Sequence, residues 1–329
     1  MSKLNLNKVQ KSAVEAFGKP VLIFAGAGSG KTRVLTHKIA YLIENNLVSA
    51  KNILAVTFTN KAAQAMKDRV KKLVKGKETV LNIGTFHSIC ARILRSEIHQ
   101  LNYTADFSIF DVQDQIALVK VVLEAMGIPK NYVTPREVRH KISYFKNKMI
   151  YPNEAVKKAH LVLEKNYANI YKNYQKALFD NNALDFDDLL LLPLEIFKKH
   201  PNILEKYRQK WQFILVDEYQ DTNKPQFMLM KYLAEEHQQI CVVGDDDQSI
   251  YGWRGADIRN ILDFEKHFGN CEVFKLEKNY RSSAHIVEAA ASVVKNNVNR
   301  APKELIPHNG DGEKLGLIET NDEMEEADA

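Results

Sequence analysis

Two regimes of hydrophobic and polar spacing alternate along this 329-residue chain. Short apolar runs rich in β-branched residues, each followed by small or acidic residues, read as buried strands at Val21–Phe24, Ile53–Phe58, Phe213–Val216, Ile240–Val243 and Val273–Leu276. Between them, apolar residues recur near a 3.6-residue period over Arg33–Ile43 and Ala62–Val74, the mark of helices with one buried face. Strand, loop, helix and strand in this order predict an α/β fold, a parallel sheet with helices on both faces.

The alternation stops between about residues 88 and 198. The spacing there predicts helices at Ile89–Ile98, Val112–Met126, Pro135–Lys146, Asn153–Asn181 and Phe186–Phe197, punctuated by Pro129, Pro135 and Pro152, and no strand. The expectation is an all-α domain over 88–198, inserted into an α/β domain made of 1–87 and 199–281. From residue 282 onward come one helix (Ala284–Asn296), a loop with Pro302 and Pro307, and a short apolar run at Leu315–Ile318. This reads as the start of a further domain, cut short at Ala329.

Composition adds little until charge is mapped. With 45% hydrophobic and 26% charged residues, the chain has enough apolar material for two or three cores. The longest apolar stretch, Leu189–Phe197, holds Pro193 and Glu195 and falls far short of the roughly 20 residues that span a bilayer. The first residues lack the apolar core of a leader peptide. Cys90, Cys241 and Cys271 show no metal spacing and read as reduced thiols, so the expected location is the cytoplasm. Residues 120–176 carry 12 Lys/Arg against 4 Asp/Glu, whereas 311–329 carry 8 acids against Lys314. The basic stretch suits a polyanion such as nucleic acid, or a set of solvated helix faces; the acidic tail reads as solvated surface.

Candidate chemistry starts at Ala25-Gly26-Ala27-Gly28-Ser29-Gly30-Lys31-Thr32, which follows a strand and opens a helix, as a phosphate-binding P-loop must. The glycines allow tight turning, so successive N–H groups can point at phosphate oxygens. Lys31 would reach the β- and γ-phosphates, and the Thr32 hydroxyl would sit on Mg²⁺. Ala25 stands where the strict pattern has Gly. A dinucleotide-binding loop fits worse, since its glycine spacing differs and it has no use for a Lys-Thr pair.

Phe213-Ile-Leu-Val-Asp217-Glu218 supplies the acid that such a loop needs at a strand end. Asp217 is the candidate for holding Mg²⁺, and Glu218 for polarising the attacking water. Small-molecule kinases share these two elements, so they establish nucleoside triphosphate chemistry and no more.

Three strand ends add aromatics beside polar groups, at the edge where ligands bind such sheets. They are Thr57-Phe58-Thr59-Asn60-Lys61, Gly84-Thr-Phe-His87-Ser88 and Gly244-Asp-Asp-Asp-Gln248-Ser-Ile-Tyr251-Gly-Trp253-Arg254-Gly-Ala256. Gln248 lies where an amide could sense a γ-phosphate. Tyr251, Trp253 and Arg254 offer stacking surfaces and a cation, and stacking of a base on an aromatic contributes roughly 1–3 kcal/mol whatever the sequence. Taken singly, Phe58, Phe86 and Trp253 would more often be core residues; three such strand ends in one sheet point instead to a ligand edge.

Together with Leu6-Asn-Lys-Val-Gln10, Leu184-Asp-Phe-Asp-Asp-Leu189, Val216–Asn223 and Leu276-Glu-Lys-Asn-Tyr280-Arg281-Ser-Ser283, these segments resemble superfamily 1 helicases of the Rep/UvrD/PcrA group, over essentially the whole chain. Of the three, Rep looks nearest. The resemblance implies a RecA-like ATPase domain over 1–87 and 199–281, the helical insertion, and the beginning of a second RecA-like domain.

It also implies roles by motif. Gln10 would contact adenine and Tyr280 would stack on it. Arg33 would join the P-loop residues around the nucleotide. Gln248 and Arg281 would contact the γ-phosphate. Thr57, Phe58, Asn60, His87, Phe186, Tyr251, Trp253 and Arg254 would line a single-strand path. ATP and Mg²⁺ are the implied cofactors, and single-stranded DNA and its junction with duplex the implied partner. The activity expected of the full-length protein is 3′ to 5′ translocation and unwinding in replication restart or repair.

The later family motifs, including an arginine that completes the ATP site, have no counterpart before Ala329. Such an arginine contributes about 10³–10⁵ in turnover, roughly 4–7 kcal/mol of barrier. This chain alone is therefore expected to bind nucleotide and hydrolyse it feebly. A helicase–nuclease of the RecB or AddA kind shares these motifs, and a nucleotide-gated binding module without processive activity would share most of them.

Overall fold

The computed structural model describes residues 6–74, 80–129, 131–298 and 300–328. Residues 1–5 and Ala329 lie outside the described residues. Eight strands matter to the site: β1 (Val21–Ala25), β2 (Ile53–Thr57), β3 (Asn82–Thr85), β4 (Ser108–Phe110), β5 (Ala183–Asp185), β6 (Phe213–Val216), β7 (Ile240–Gly244) and β8 (Glu272–Leu276). Six form one sheet in the order β3-β2-β6-β7-β1-β8, with every neighbouring pair parallel.

The four inner strands, β2, β6, β7 and β1, read as unbroken apolar runs because both of their faces are covered. Side chains alternate between two cores. Leu22, Phe24, Leu54, Val56, Ile214, Val216, Ile240 and Val242 face one layer of helices. Val21, Ile23, Ile53, Ala55, Phe213, Leu215, Cys241 and Val243 face the other. A one-residue slip in any strand would exchange the two sets, so the pattern fixes the register. β3, an edge strand four residues long with Gly84 inside it, is a strand the apolar pattern alone does not pick out.

The segment between β3 and β6 has a core of its own, drawn from residues such as Val119, Val138, Ile142, Tyr171 and Tyr174. Ile89, Ile93, Leu190 and Phe197 instead pack into the core of the sheet. Two expectations for this segment fail. It contains strands, since β4 and β5 form a short parallel ladder pairing Ile109 with Leu184. The long helix expected over Asn153–Asn181 is two helices, Pro152–Lys158 and Val162–Asp180. The break has a local cause: the Glu164 carboxylate accepts from the backbone N–H groups of His160 and Leu161 and so caps a new helix start. Neither Pro nor Gly marks it.

Beyond β8, Lys278–Asn279 pairs with Ile306–Pro307, and a helix spans Ala284–Val294. Leu315, Leu317 and Ile318 are exposed and belong to no strand. Among the described residues, no helix is long and apolar enough to cross a membrane. Cys90 and Cys241 are buried and Cys271 half-buried, all as free thiols, with burial pushing their pKa values up.

All six parallel strands end at one edge of the sheet, and the loops that leave them carry the candidate residues.

Candidate nucleotide site and adjoining aromatic cleft

The loop from Ala25 to Gly30 turns through two left-handed glycines, Gly28 at φ 68° and Gly30 at φ 94°. Gly30 is the N-cap of the Lys31–Glu44 helix and offers no side-chain cap, so the first N–H groups of that helix are left for an anion. Ser29 braces the turn by donating from Oγ to the Gly26 carbonyl at 2.7 Å. Asn279 donates to the Ala27 carbonyl at 2.7 Å, and the Tyr280 N–H donates to Gly28 at 3.0 Å. A side chain at Gly28 would collide with Asn279 and Arg281. Arg281 is thus held against the loop.

Gln10 reaches the same loop from the first helix, Lys8–Glu15. Its amide donates to the Ser29 carbonyl at 2.9 Å and its oxygen accepts from the Asn7 N–H at 3.0 Å. Asn7 in turn donates to the Tyr280 hydroxyl at 2.8 Å. Gln10, Tyr280 and the P-loop therefore form one cluster, although 270 residues separate the first two in sequence. Thr32 and Arg33 lie in the first turn of the Lys31–Glu44 helix.

At the end of β6, Asp217 is buried, and burial together with the neighbouring Glu218 charge pushes its pKa up to about 7, against the pull of Lys31. Lys31 Nζ lies 3.6 Å from a Glu218 carboxylate oxygen and is buried with no hydrogen-bond acceptor. A buried ammonium without acceptors costs free energy unless anionic oxygens complete it. Phosphate oxygens would do so, and the Thr32 hydroxyl and Asp217 carboxylate are hard oxygen donors of the kind Mg²⁺ takes. The residues present fit both groups.

Glu218 has a left-handed backbone, φ 51° and ψ 46°, a conformation costing about 1–3 kcal/mol outside glycine. Its surroundings hold it there. The Glu218 N–H donates to Asp217 at 3.1 Å, and Gln220 Nε2 donates to the Glu218 carboxylate at 3.0 Å. Gln220 also accepts from the Asp245 N–H at 3.0 Å, tying the acid pair to the loop after β7. The approach is so close that a side chain on Gly244 would meet the Gln220 amide oxygen.

Gln248 Nε2 donates to Asp245 at 2.5 Å. Asp245, Asp246 and Asp247 all surround Lys303, whose side chain is 3% exposed, and Arg300 pairs with Asp247 at 2.9 Å. These cations hold the Asp247 pKa down at about 2. Gln220, Asn279 and Lys303 were missed in the sequence. Gln220 lies inside the Asp217–Asn223 motif and could have been found there. Lys303 sits 57 residues from Asp246, with no local signal to mark it.

The aromatic residues gather on the adjoining strand ends. Phe58 stacks on Tyr251 with ring centroids 5.2 Å apart, and Tyr251 leads on to Trp253 at 6.4 Å. The Arg254 guanidinium lies over both the Tyr251 and Trp253 rings. His87 meets Phe186 edge-on at 5.8 Å, and burial lowers its pKa, favouring the neutral ring. Thr57, Phe58, His87, Phe186, Trp253 and Arg254 line one cleft of about 620 Å³.

Trp253 is 75% exposed, which removes the core-anchor reading, whereas Phe86 is a core residue that touches the cleft. Asn60 is exposed at the start of the Asn60–Leu73 helix and does not line this cleft. Asn223, which follows the acid pair, donates to Asn147 at 2.7 Å; Asn147 donates to Asp187, beside Phe186, at 3.0 Å. A continuous hydrogen-bonded path thus runs from the acid loop to the far wall of the cleft.

Residues 6–269 match the UvrD/REP helicase N-terminal domain, and residues 274–329 the UvrD-like helicase C-terminal domain. The chain is 48% identical over 321 residues to the ATP-dependent DNA helicase PcrA of Bacillus subtilis (strain 168), covering 98% of this chain and 43% of that protein. It is 48% identical over 324 residues to the protein of the same name from Staphylococcus aureus (strain NCTC 8325 / PS 47), covering 98% of this chain and 44% of the relative. The chain therefore spans less than half the length of the curated relatives it matches, and their name places it in the broader group without favouring Rep. This chain belongs to the UvrD/REP helicase family.

Proposed function

We propose that the chain is the ATP-binding front part of a motor that moves 3′ to 5′ along single-stranded DNA and unwinds duplex, serving replication restart or repair. The observation that carries this reading is the shared sheet edge, where the Lys31 loop, the Asp217–Glu218 pair and a cleft of stacked aromatics adjoin. In this reading, residues 1–87 with 199–281 form a first RecA-like domain, 88–198 the helical insertion, and 282–329 the opening of a second RecA-like domain.

Lys31 and the N–H groups at the start of its helix bind the β- and γ-phosphates of ATP. Gln10 and Tyr280 hold the adenine, with Arg33 beside them, and Gln248 and Arg281 face the γ-phosphate. Thr32 and Asp217 would hold Mg²⁺, which neutralises charge on the phosphates when bound. Glu218, oriented by Gln220, takes a proton from the attacking water.

Phe58, His87, Phe186, Tyr251, Trp253 and Arg254, with Thr57, hold the strand chiefly by stacking, which tolerates every base and so suits a stepping motor. The Gln220 and Asn223 contacts give the two sites a common set of side chains, so a change at one is felt at the other.

The test is Glu218→Gln in the complete protein. It should bind ATP with parental affinity and lose turnover by at least a hundredfold, the scale of a positioned general base. Unchanged turnover would assign the base elsewhere.

A further inference from the structure

The cleft of aromatics has a second wall that belongs to the insertion, formed by Arg139, His140, Ser143 and Asn147 of the Pro135–Asn147 helix. We propose that Arg139 clamps the phosphate backbone of the strand held in this cleft, a proposal that rests on the nucleic-acid reading above. Three observations converge on this residue.

The first is how it is held. Arg139 Nε donates to Gln115 Oε1 at 3.1 Å, and Gln115 is itself buried and anchored by donating to the Phe110 carbonyl at 3.1 Å. One edge of the guanidinium is thereby fixed by a partner that cannot move. Among the described residues, the two terminal nitrogens carry neither a hydrogen bond nor an ion pair.

The second is the charge of the cleft. Its lining offers two guanidinium groups, and Arg254 is already laid over Tyr251 and Trp253 on the opposite wall. His87, with its pKa lowered by burial, is a poor cation, and the lining acids Asp187 and Asp221 leave Arg139 unpaired. A strand whose bases stack on the aromatics needs cations for its phosphates, and Arg139 supplies one on the insertion side.

The third is chemical fit. The planar fork of arginine meets two phosphate oxygens at once, and a fork already oriented loses less freedom on binding than a free lysine would. A purely structural reading would have Arg139 serve only to tie its helix to Gln115. That role would show in stability and leave no mark on counterion release.

The test is the salt dependence of binding of a labelled oligothymidylate to the complete protein. Each phosphate neutralised on a single strand contributes about 0.7 to the slope of log K against log salt. Arg139→Gln should make the slope shallower by about 0.7 and weaken binding severalfold at low salt, with the ATP affinity of the free protein unchanged; loss of the Gln115 bond would lower only the melting temperature. Arg139→Lys should retain the slope. An unchanged slope in Arg139→Gln, even with weakened binding, overturns the clamp and leaves the nucleic-acid reading intact. Failure of the parent protein to bind the oligonucleotide at all would overturn that reading itself, and the clamp with it.

Discussion

Asp217 shows how much a single buried carboxyl sets before any ligand arrives. Its folded pKa, about 7, lies above the roughly 3.9 of an unfolded chain. The native state therefore holds the proton more tightly, and stability falls as pH rises from about 4 through about 7. Above that it is level. Asp217→Asn removes the ionisation, so in urea titrations it should be more stable than its parent at pH 8, on the order of 2–4 kcal/mol. The gap should shrink steadily toward pH 5. A pH-independent difference would mean that Asp217 is already ionised in the free protein. Asp217 and Lys31 were legible because contiguous motifs carry them. The strained backbone of Glu218 was not, nor was the tie of Gln220 to Asp245, which depends on β7 lying beside β6.

At the scale of elements, the strands were legible where burial on both faces forced unbroken β-branched runs, as in β1, β2, β6 and β7. β4 and β5 are three residues each, too short for any period to register. The helix break near Leu161 depends on one capping carboxylate rather than on a breaker residue. Least legible was the contact between the loop after β7 and the segment around Lys303, where three consecutive carboxylates close on one buried ammonium. Lys303→Met would leave that charge short of its main partner. Breaking a buried pair on one side costs about 3–5 kcal/mol, and denaturant unfolding should show a loss of that order. A loss below about 1 kcal/mol would show that solvent or Arg300 already satisfies the acids. Since Asp245 also accepts from Gln248, the variant tests whether this segment keeps the Gln248 side chain in place.

For the molecule as a whole, the segment between β3 and β6 supplies Asn147, Phe186 and Arg139 to a cleft whose other wall is the sheet edge. A strand in that cleft touches both walls, and the Asn223–Asn147 bond ties the far wall to the acid loop. The account therefore requires nucleic acid and nucleotide to sense each other. The most direct measurement is the ATP hydrolysis rate of the complete protein as single-stranded DNA is titrated in. The rate should rise to a plateau, and Lys31→Ala should abolish both nucleotide binding and the rise. A rate indifferent to DNA, or nucleotide affinity untouched by Lys31→Ala in magnesium buffer, would contradict the account.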